Sequence, residues 1–153
     1  YYPSEARDTD SIVQDLARYQ GIPGISGMIG QLEGAQRFHE RIRGIWTRNI
    51  LMGRKFESER ALFYARRGIL IMVNSTAALF DFMVNFGTIS YVQVKWSSGP
   101  ISSNTIRSVA SDSEYFLSGT FLLESNYIDN DAWQDLWRRG GRPLPYRYPP
   151  RNP

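Results

Sequence analysis

The 153-residue chain contains no cysteine and only one histidine, His39. Without cysteine, the chain can form neither a disulfide nor a thiolate metal site. His39 lies between Phe38 and Glu40, and neither a second imidazole nor a carboxylate pair at helical spacing accompanies it. The sequence therefore predicts no metal site and no cofactor, and His39 is interpreted as a structural or surface residue.

Several motifs of catalysis and nucleotide binding are also missing. The chain has no Gly-x-Gly-x-x-Gly, no Gly-x-Ser-x-Gly and no phosphate-loop Gly-Lys pattern, and Gly24–Gly27 lacks the strand–turn–helix context that a nucleophile needs. We therefore expect a protein that is not an enzyme and has no catalytic residues. A triad built from distant serine and aspartate residues around His39 is the alternative left open.

Lysine is scarce, because sixteen of the eighteen basic residues are arginine. Their distribution is uneven: residues 37–67 have a net charge of +6 and residues 138–153 of +5, whereas residues 1–36 and 68–137 are acidic, at −3 and −5. Such a dipolar charge pattern steers a protein towards anionic partners, and arginine favours bidentate contact with carboxylate, sulfate or phosphate. The competing interpretation is a solvated helix face.

The apolar periodicity predicts an all-α fold, a single irregular bundle of about five helices in one domain, residues 1–153. Residues 1–24 form an N-terminal segment with a short helix, and residues 142–153 an extended, basic, proline-rich tail. Residues 89–96 fit a strand or an extended linker, and Gly53 separates the second and third helices. The expected helices are Ser11–Tyr19, Ile25–Trp46, Phe56–Phe86, one beginning near Ser102 or Ser103, and Asp131–Arg139.

The second half of the expected 56–86 helix is unusually apolar. From Gly68 to Ser90 the only charged residue is Asp81. As a helix this stretch would be about 35 Å long, enough to cross a bilayer. Asp81 would cost about 2.5–3.5 kcal/mol at the membrane centre, so the central helix of a bundle is the favoured interpretation.

Three segments, in matching order, resemble the gastropod sperm lysins. Arg60–Arg67 resembles a basic-Ala-Leu-Tyr-Phe-x-x-Arg-Arg segment of that family, Glu114–Leu117 an aromatic run in a late helix, and Arg142–Tyr148 its basic tail with proline and tyrosine. The likeness covers roughly residues 25–150. The double arginine lies one residue closer to the Ala-Leu pair than in lysin, and the net charge is low for a lysin, so the chain looks more like the fusagenic acrosomal paralogue.

The resemblance implies a secreted, non-enzymatic protein of the sperm acrosomal vesicle that acts in fertilisation. A chain that begins at Tyr1 fits a mature or trimmed secreted protein. The expected partners are an egg surface glycoprotein or the anionic lipid of the egg plasma membrane, with a homodimer left open. Two alternatives are a lysin that dissolves the egg vitelline envelope without cleavage and a basic nucleic-acid-binding or assembly module; the acidic blocks argue against nucleic acid.

We expect the partner- or membrane-binding surface to combine cations with apolar side chains. The cations would attract anionic groups, and the apolar side chains would insert or dock. The predicted binding residues are Arg41, Arg43, Arg48, Arg54, Lys55, Arg66, Arg67, Arg138, Arg139, Ile69, Leu70, Phe80, Phe82, Phe86, Trp133 and Trp137.

Overall fold

The computed structural model describes residues 7–74 and 80–96 in full, and residues 120–125 and 142–144 through their backbone. Within these ranges, helices come first and strands follow. The protein is therefore mixed α/β, and the prediction of an all-α bundle of about five helices is wrong. The elements are α1 Thr9–Ala17, α2 Ile25–Arg41, α3 Ile45–Arg66, β1 Leu70–Val73, β2 Phe82–Asn85, β3 Ile89–Lys95, β4 Thr120–Ser125 and β5 Arg142–Leu144.

Helix α1 confirms the expected N-terminal helix with shifted ends. It begins two residues earlier than expected because Asp8 caps it: the Asp8 carboxylate accepts a hydrogen bond from the backbone N–H of Ser11 at 2.9 Å. Ile12 and Leu16, four residues apart, are fully buried. An apolar stripe with this spacing packs the helix onto the core.

Helix α2 begins at a close approach to the sheet. Gly24, just before the helix, has a φ of +89°, and a Cβ at this position would collide with the backbone carbonyl of Val73 in β1. The Val73 N–H also donates to the carbonyl of Pro23 at 2.8 Å. The glycine therefore lets the start of α2 lie directly against β1.

Helix α3 differs from its prediction at both ends. It begins at Ile45 and continues through Gly53, where a break was expected. It ends at Arg66, twenty residues before the predicted end, in a Schellman motif: Gly68, with a φ of +71°, donates to the Ala65 carbonyl and Ile69 to the Tyr64 carbonyl. The expected 56–86 helix is therefore wrong.

The apolar stretch from Gly68 to Ser90 forms strands instead of the end of a helix. A short run of continuous apolar residues does not distinguish a buried strand from a buried helix by its periodicity. Gly87, expected to end the long helix, has a φ of +96° in the turn between β2 and β3. Within the described residues, none of the helices is both long and apolar enough to cross a membrane.

The strands form one sheet in the order β1-β2-β3-β4-β5. Strands β1, β2 and β3 are antiparallel, β1 carries an irregularity at Ile71, and β4 and β5 are added in parallel beside β3. Strand β3 confirms the extended interpretation of residues 89–96.

The core lies between the helices and one face of the antiparallel strands. Burial alternates along β3, where Ser90, Val92 and Val94 are buried and the residues between them are more exposed. Helix α3 crosses this face, and the ring of Tyr64 lies 6.2 Å from that of Phe82 in β2. The helices therefore pack on a sheet and not only on one another.

Three expectations fall outside the described residues. These are the helix near Ser102 or Ser103, the helix Asp131–Arg139 and most of the C-terminal tail. Of the tail, the structure describes only the backbone of β5.

Candidate functional site

A short connection joins α2 to α3 and forms the most exposed corner of the described chain. Helix α2 ends at Arg41 and α3 begins at Ile45, so only residues 42–44 lie between them. Residues 40–46 are all exposed, an uninterrupted run of seven. We call this region the basic corner and define it by Arg41, Ile42, Arg43, Ile45, Trp46 and Arg48.

The hydroxyl of Thr47, which is buried, braces the basic corner from inside. It donates to the Ile42 carbonyl at 2.6 Å and accepts from the Gly44 N–H at 3.2 Å. The Nδ1 atom of His39 lies 2.8 Å from the same oxygen. His39 therefore packs against the brace beneath the basic corner.

The basic corner exposes large apolar side chains. Ile45 is 81% exposed, Trp46 67% and Ile42 49%. The Trp46 ring meets Phe38 edge to face, with the ring centroids 5.4 Å apart, so the indole is held in place at the surface. A preformed cluster of exposed apolar side chains is typical of a surface that meets a partner or a membrane.

Cations surround these apolar side chains. Residues 41–48 contain Arg41, Arg43 and Arg48 and no acidic residue. All three arginines are exposed, and none forms an ion pair with a carboxylate in the part of the chain that the structure describes. The Arg41 guanidinium lies 5.7 Å from the centre of the Phe38 ring. The local field is positive and available to an anion.

The other predicted cations lie elsewhere on α3. Arg54 and Lys55 are half-buried near its middle, and the Arg54 guanidinium lies 3.6 Å from the Glu57 carboxylate. Arg66 and Arg67 are exposed at its last turn. The structure therefore brings together three of the predicted cations at the basic corner and separates them from the rest.

The predicted apolar residues are dispersed. Leu70 and Phe82 are buried in the core and cannot line a surface, which corrects their assignment. Ile69 and Phe80 are half-buried, and only Phe86 is exposed, in the turn between β2 and β3. The remaining predicted residues, Arg138, Arg139, Trp133 and Trp137, lie outside the described residues.

Three exposed residues of the basic corner were missed by the sequence interpretation. Ile42, Ile45 and Trp46 fit the three- and four-residue spacing of the expected helix Ile25–Trp46, and this spacing predicts that they belong to its buried stripe. The available signal was Gly44, a residue that weakens helices, set among arginines. Once the helix ends at Arg41, the same residues lie outside the stripe.

A second cluster of charges lies at the seam between α3 and the sheet. Burial and, to a smaller degree, the charge of Asp81 raise the pKa of Glu57 to about 7. Burial likewise raises the pKa of Asp81 to about 6, although the Val94 N–H donates to its carboxylate at 2.6 Å. Arg54 and Lys95 partly offset both effects. Such a pair can hold a proton near neutral pH.

Among the described residues, this cluster does not combine with the further ligands that a metal site needs. Two carboxylates beside two cations would hold a metal poorly, and no group of three or more metal-binding side chains occurs among residues 7–74 and 80–96. Its members also hold the fold together, since Asp81 ties the start of β2 to the end of β3. We interpret it as a structural pair with pH-dependent energetics.

Comparison with protein-family models, with curated proteins and with solved structures finds no match to this chain. The functional proposal is therefore based on the geometry of the chain itself.

Proposed function

We propose that this protein binds anionic lipid surfaces through the basic corner. The observation that carries the proposal is the exposure of Ile45 and Trp46, at 81% and 67%, within residues 41–48, which contain three arginines and no acidic residue. Cations would attract phosphate and carboxylate headgroups, and the apolar side chains would enter the interface between headgroups and acyl chains.

The expected affinity is that of a reversible peripheral protein. Each cation near an anionic membrane contributes about 1 kcal/mol, and a large apolar side chain moved out of water about 1.5–3 kcal/mol. Part of this gain is offset by the loss of translational and rotational freedom on binding. Binding should therefore depend on both the anionic lipid content and the salt concentration.

The composition of the basic corner favours lipid over the other anionic partners. Its apolar residues lie in an exposed run, residues 40–46, which contains aliphatic Ile42 and Ile45 and one aromatic residue, Trp46. A nucleic acid would offer these aliphatic side chains little apolar contact, since single strands are bound by stacking on aromatic rings. A lipid interface accepts exposed aliphatic side chains and also supplies anions.

The biological setting comes only from the resemblance to sperm lysins. It would place the protein in the acrosomal vesicle, secreted and non-enzymatic, with the egg plasma membrane or an egg glycoprotein as its target in fertilisation. The all-α fold predicted beside this resemblance is wrong, so our molecular proposal is limited to lipid binding. Staining of sperm with a specific antibody tests the setting; absence from the acrosome would contradict it.

Vesicle co-sedimentation tests the proposal. We expect binding to phosphatidylcholine vesicles that contain phosphatidylserine and little binding to phosphatidylcholine alone. The double variant Ile45→Ser/Trp46→Ser should bind at least about a hundredfold more weakly, because two apolar side chains no longer leave water. Ile71→Ser, which changes an exposed isoleucine of β1, is the matched control and should bind normally.

Two outcomes would contradict the proposal. One is equal binding to both kinds of vesicle. The other is unchanged binding of the Ile45→Ser/Trp46→Ser variant with a native circular dichroism spectrum. A salt-dependent affinity for single-stranded oligonucleotides without vesicle binding would instead support the nucleic-acid alternative.

A further inference from the structure

The opposite end of α3 carries a second exposed region of apolar and basic residues. Phe86, in the turn between β2 and β3, is 46% exposed, and Ile89, at the start of β3, is 49% exposed. Arg66 and Arg67, exposed at the end of α3, closely follow Tyr64, whose ring contacts that of Phe86. We call Arg18, Arg66, Arg67, Phe86 and Ile89 the hairpin end.

Defined contacts hold the hairpin end against the last turn of α3. The rings of Tyr64 and Phe86 meet edge to face, with centroids 5.8 Å apart. The Asn85 N–H donates to the Ile69 carbonyl at 2.9 Å, which ties β2 to the residue that closes the Schellman motif. The Asn85 side chain in turn accepts from the Gly87 N–H at 2.9 Å. The exposed Phe86 thus has a fixed position relative to α3.

The charge at the hairpin end is positive. Arg7, Asp15, Glu59 and Arg66 form a network of ion pairs with equal numbers of each sign. Arg18 and Arg67 add two exposed cations, and Arg18 lies near enough to help lower the pKa of Asp15. Residues 82–96 contain no acid. An anionic surface therefore fits this end, as it fits the basic corner.

The two regions lie at opposite ends of one helix. Ile45 and Trp46 belong to the first turn of α3, and Arg66 to its last. Its 22 residues span about 33 Å at 1.5 Å per residue. The basic corner and the hairpin end are therefore about 3 nm apart along one continuous helix.

We infer that the protein bridges two anionic lipid surfaces, with the basic corner on one and the hairpin end on the other. This inference rests on the proposed lipid binding at the basic corner. It adds a second lipid contact, centred on Phe86 and Ile89, and a function, the tethering of membranes. Fewer unpaired cations at the hairpin end make this the weaker contact of the two.

A capture experiment tests the inference. Vesicles of phosphatidylcholine and phosphatidylserine are immobilised, the protein is added, and the capture of fluorescent vesicles of the same composition is measured. We expect capture by the natural protein. Compared at equal amounts of vesicle-bound protein, the variant Phe86→Ser/Ile89→Ser should lose capture at least about tenfold, because its apolar contact with the second surface is gone.

Mixing two defective variants separates bridging by one chain from bridging by dimers. Ile45→Ser/Trp46→Ser lacks a functional basic corner, and Phe86→Ser/Ile89→Ser lacks a functional hairpin end. If one chain bridges, the mixture does not restore capture. If dimers bridge, each variant supplies the end that the other lacks, and restored capture would overturn the inference.

The other outcomes are equally decisive. Vesicle binding by the natural protein without capture overturns bridging and leaves the proposed function intact. Absence of vesicle binding overturns both. Normal capture by Phe86→Ser/Ile89→Ser also overturns the assignment of the hairpin end, and Ile89→Ser alone repeats this test without disturbing the contact between Tyr64 and Phe86.

Discussion

The two ends of α3 carry arginines in opposite surroundings. At the basic corner, Arg41, Arg43 and Arg48 have no carboxylate partner among the described residues. At the other end, Arg66 lies 3.0 Å from the Asp15 carboxylate, which also binds Arg7 at 2.7 Å. The position of a few carboxylates therefore decides whether an arginine joins two helices or faces a partner.

The largest expected effect comes from removing the arginines of the basic corner. We predict that Arg41→Gln/Arg43→Gln/Arg48→Gln weakens binding to anionic vesicles by about 3 kcal/mol, more than a hundredfold, because three cations no longer meet headgroups. The free energy of unfolding should change by less than about 0.5 kcal/mol, since these side chains are exposed. Co-sedimentation and urea denaturation measure the two quantities.

The matched control keeps the charge and changes the group that carries it. Arg41→Lys/Arg43→Lys/Arg48→Lys should retain most of the affinity, because lysine and arginine both contribute near an anionic membrane. If the glutamine variant binds as tightly as the natural protein, the basic corner is not the lipid contact.

Glu57 and Asp81, between α3 and the sheet, are carboxylates that are largely buried instead of exposed. Glu57 and Asp81 have folded-state pKa values of about 7 and about 6, above their ordinary values of 4.5 and 3.8. The folded protein therefore binds more protons than the unfolded chain in this interval, so stability falls as the pH rises from about 4 to about 7. Arg54 and Lys95, which face the pair, reduce the loss.

Glu57→Gln should remove the part of this pH dependence that Glu57 contributes, while Asp81, whose pKa is raised by its own burial, keeps its part. At pH 8 we expect the variant to be more stable than the natural protein by roughly 2 kcal/mol, whereas at pH 4 the two should be similar. Urea denaturation across this pH range is the measurement. Glu33→Gln, at an exposed position of α2, is the control and should leave the profile unchanged. If the free energy of unfolding of Glu57→Gln changes with pH as much as that of the natural protein, the raised pKa of Glu57 is contradicted.

Local signals in the sequence were sufficient for α1 and the start of α2, and for β3 they indicated a strand or an extended linker. The apolar stripe of α1 matches the helical period, whereas the alternation in residues 89–96 is weak. The basic block 37–67 was visible from composition, and three of its arginines meet at the basic corner. These features depend on residues that are close to one another in the sequence, so they can be predicted from the sequence alone.

The strands β1 and β2 and the exposure of the basic corner depend on distant contacts. Nothing in residues 68–90 alone distinguishes a buried helix from two buried strands, because the deciding partners are β3 and α3. Asp81 was interpreted as a charge within an apolar helix, whereas it joins β2 to the Val94 N–H of β3. Trp46 was assigned to a stripe that ends five residues earlier, at Arg41.

Removing the Thr47 hydroxyl, which braces the basic corner, should have an intermediate effect on stability. Thr47→Val keeps the shape of the side chain but leaves the Gly44 N–H, the Ile42 carbonyl and His39 without the hydroxyl. We predict a loss of about 2 kcal/mol in the free energy of unfolding, measured by urea denaturation. Thr47→Ser retains the hydroxyl and should lose less than about 1 kcal/mol. Equal stability of Thr47→Val and the natural protein would show that the brace has no energetic role.

The smallest expected effect comes from removing the carboxylate of Asp15. It tests whether ion pairing with a carboxylate is what distinguishes Arg66 from the arginines of the basic corner. Hydrogen bonding from Arg7 holds the pKa of Asp15 below its ordinary value, so its contribution to stability is present above that value and is lost as the pH falls. Asp15→Asn should lower the free energy of unfolding at pH 7 by about 1 kcal/mol, because the ion pairs are partly exposed.

The same substitution releases Arg66 from its carboxylate, whereas Arg7 keeps Glu59, and this should make the hairpin end resemble the basic corner. Vesicle capture should therefore rise about threefold to fivefold at equal protein concentration. Asp10→Asn removes the same charge at an exposed position of α1 and provides the control. If both variants raise capture equally, overall net charge explains the gain. If only Asp15→Asn does so, the released Arg66 contacts the second surface, because the overall charge of the two variants is the same.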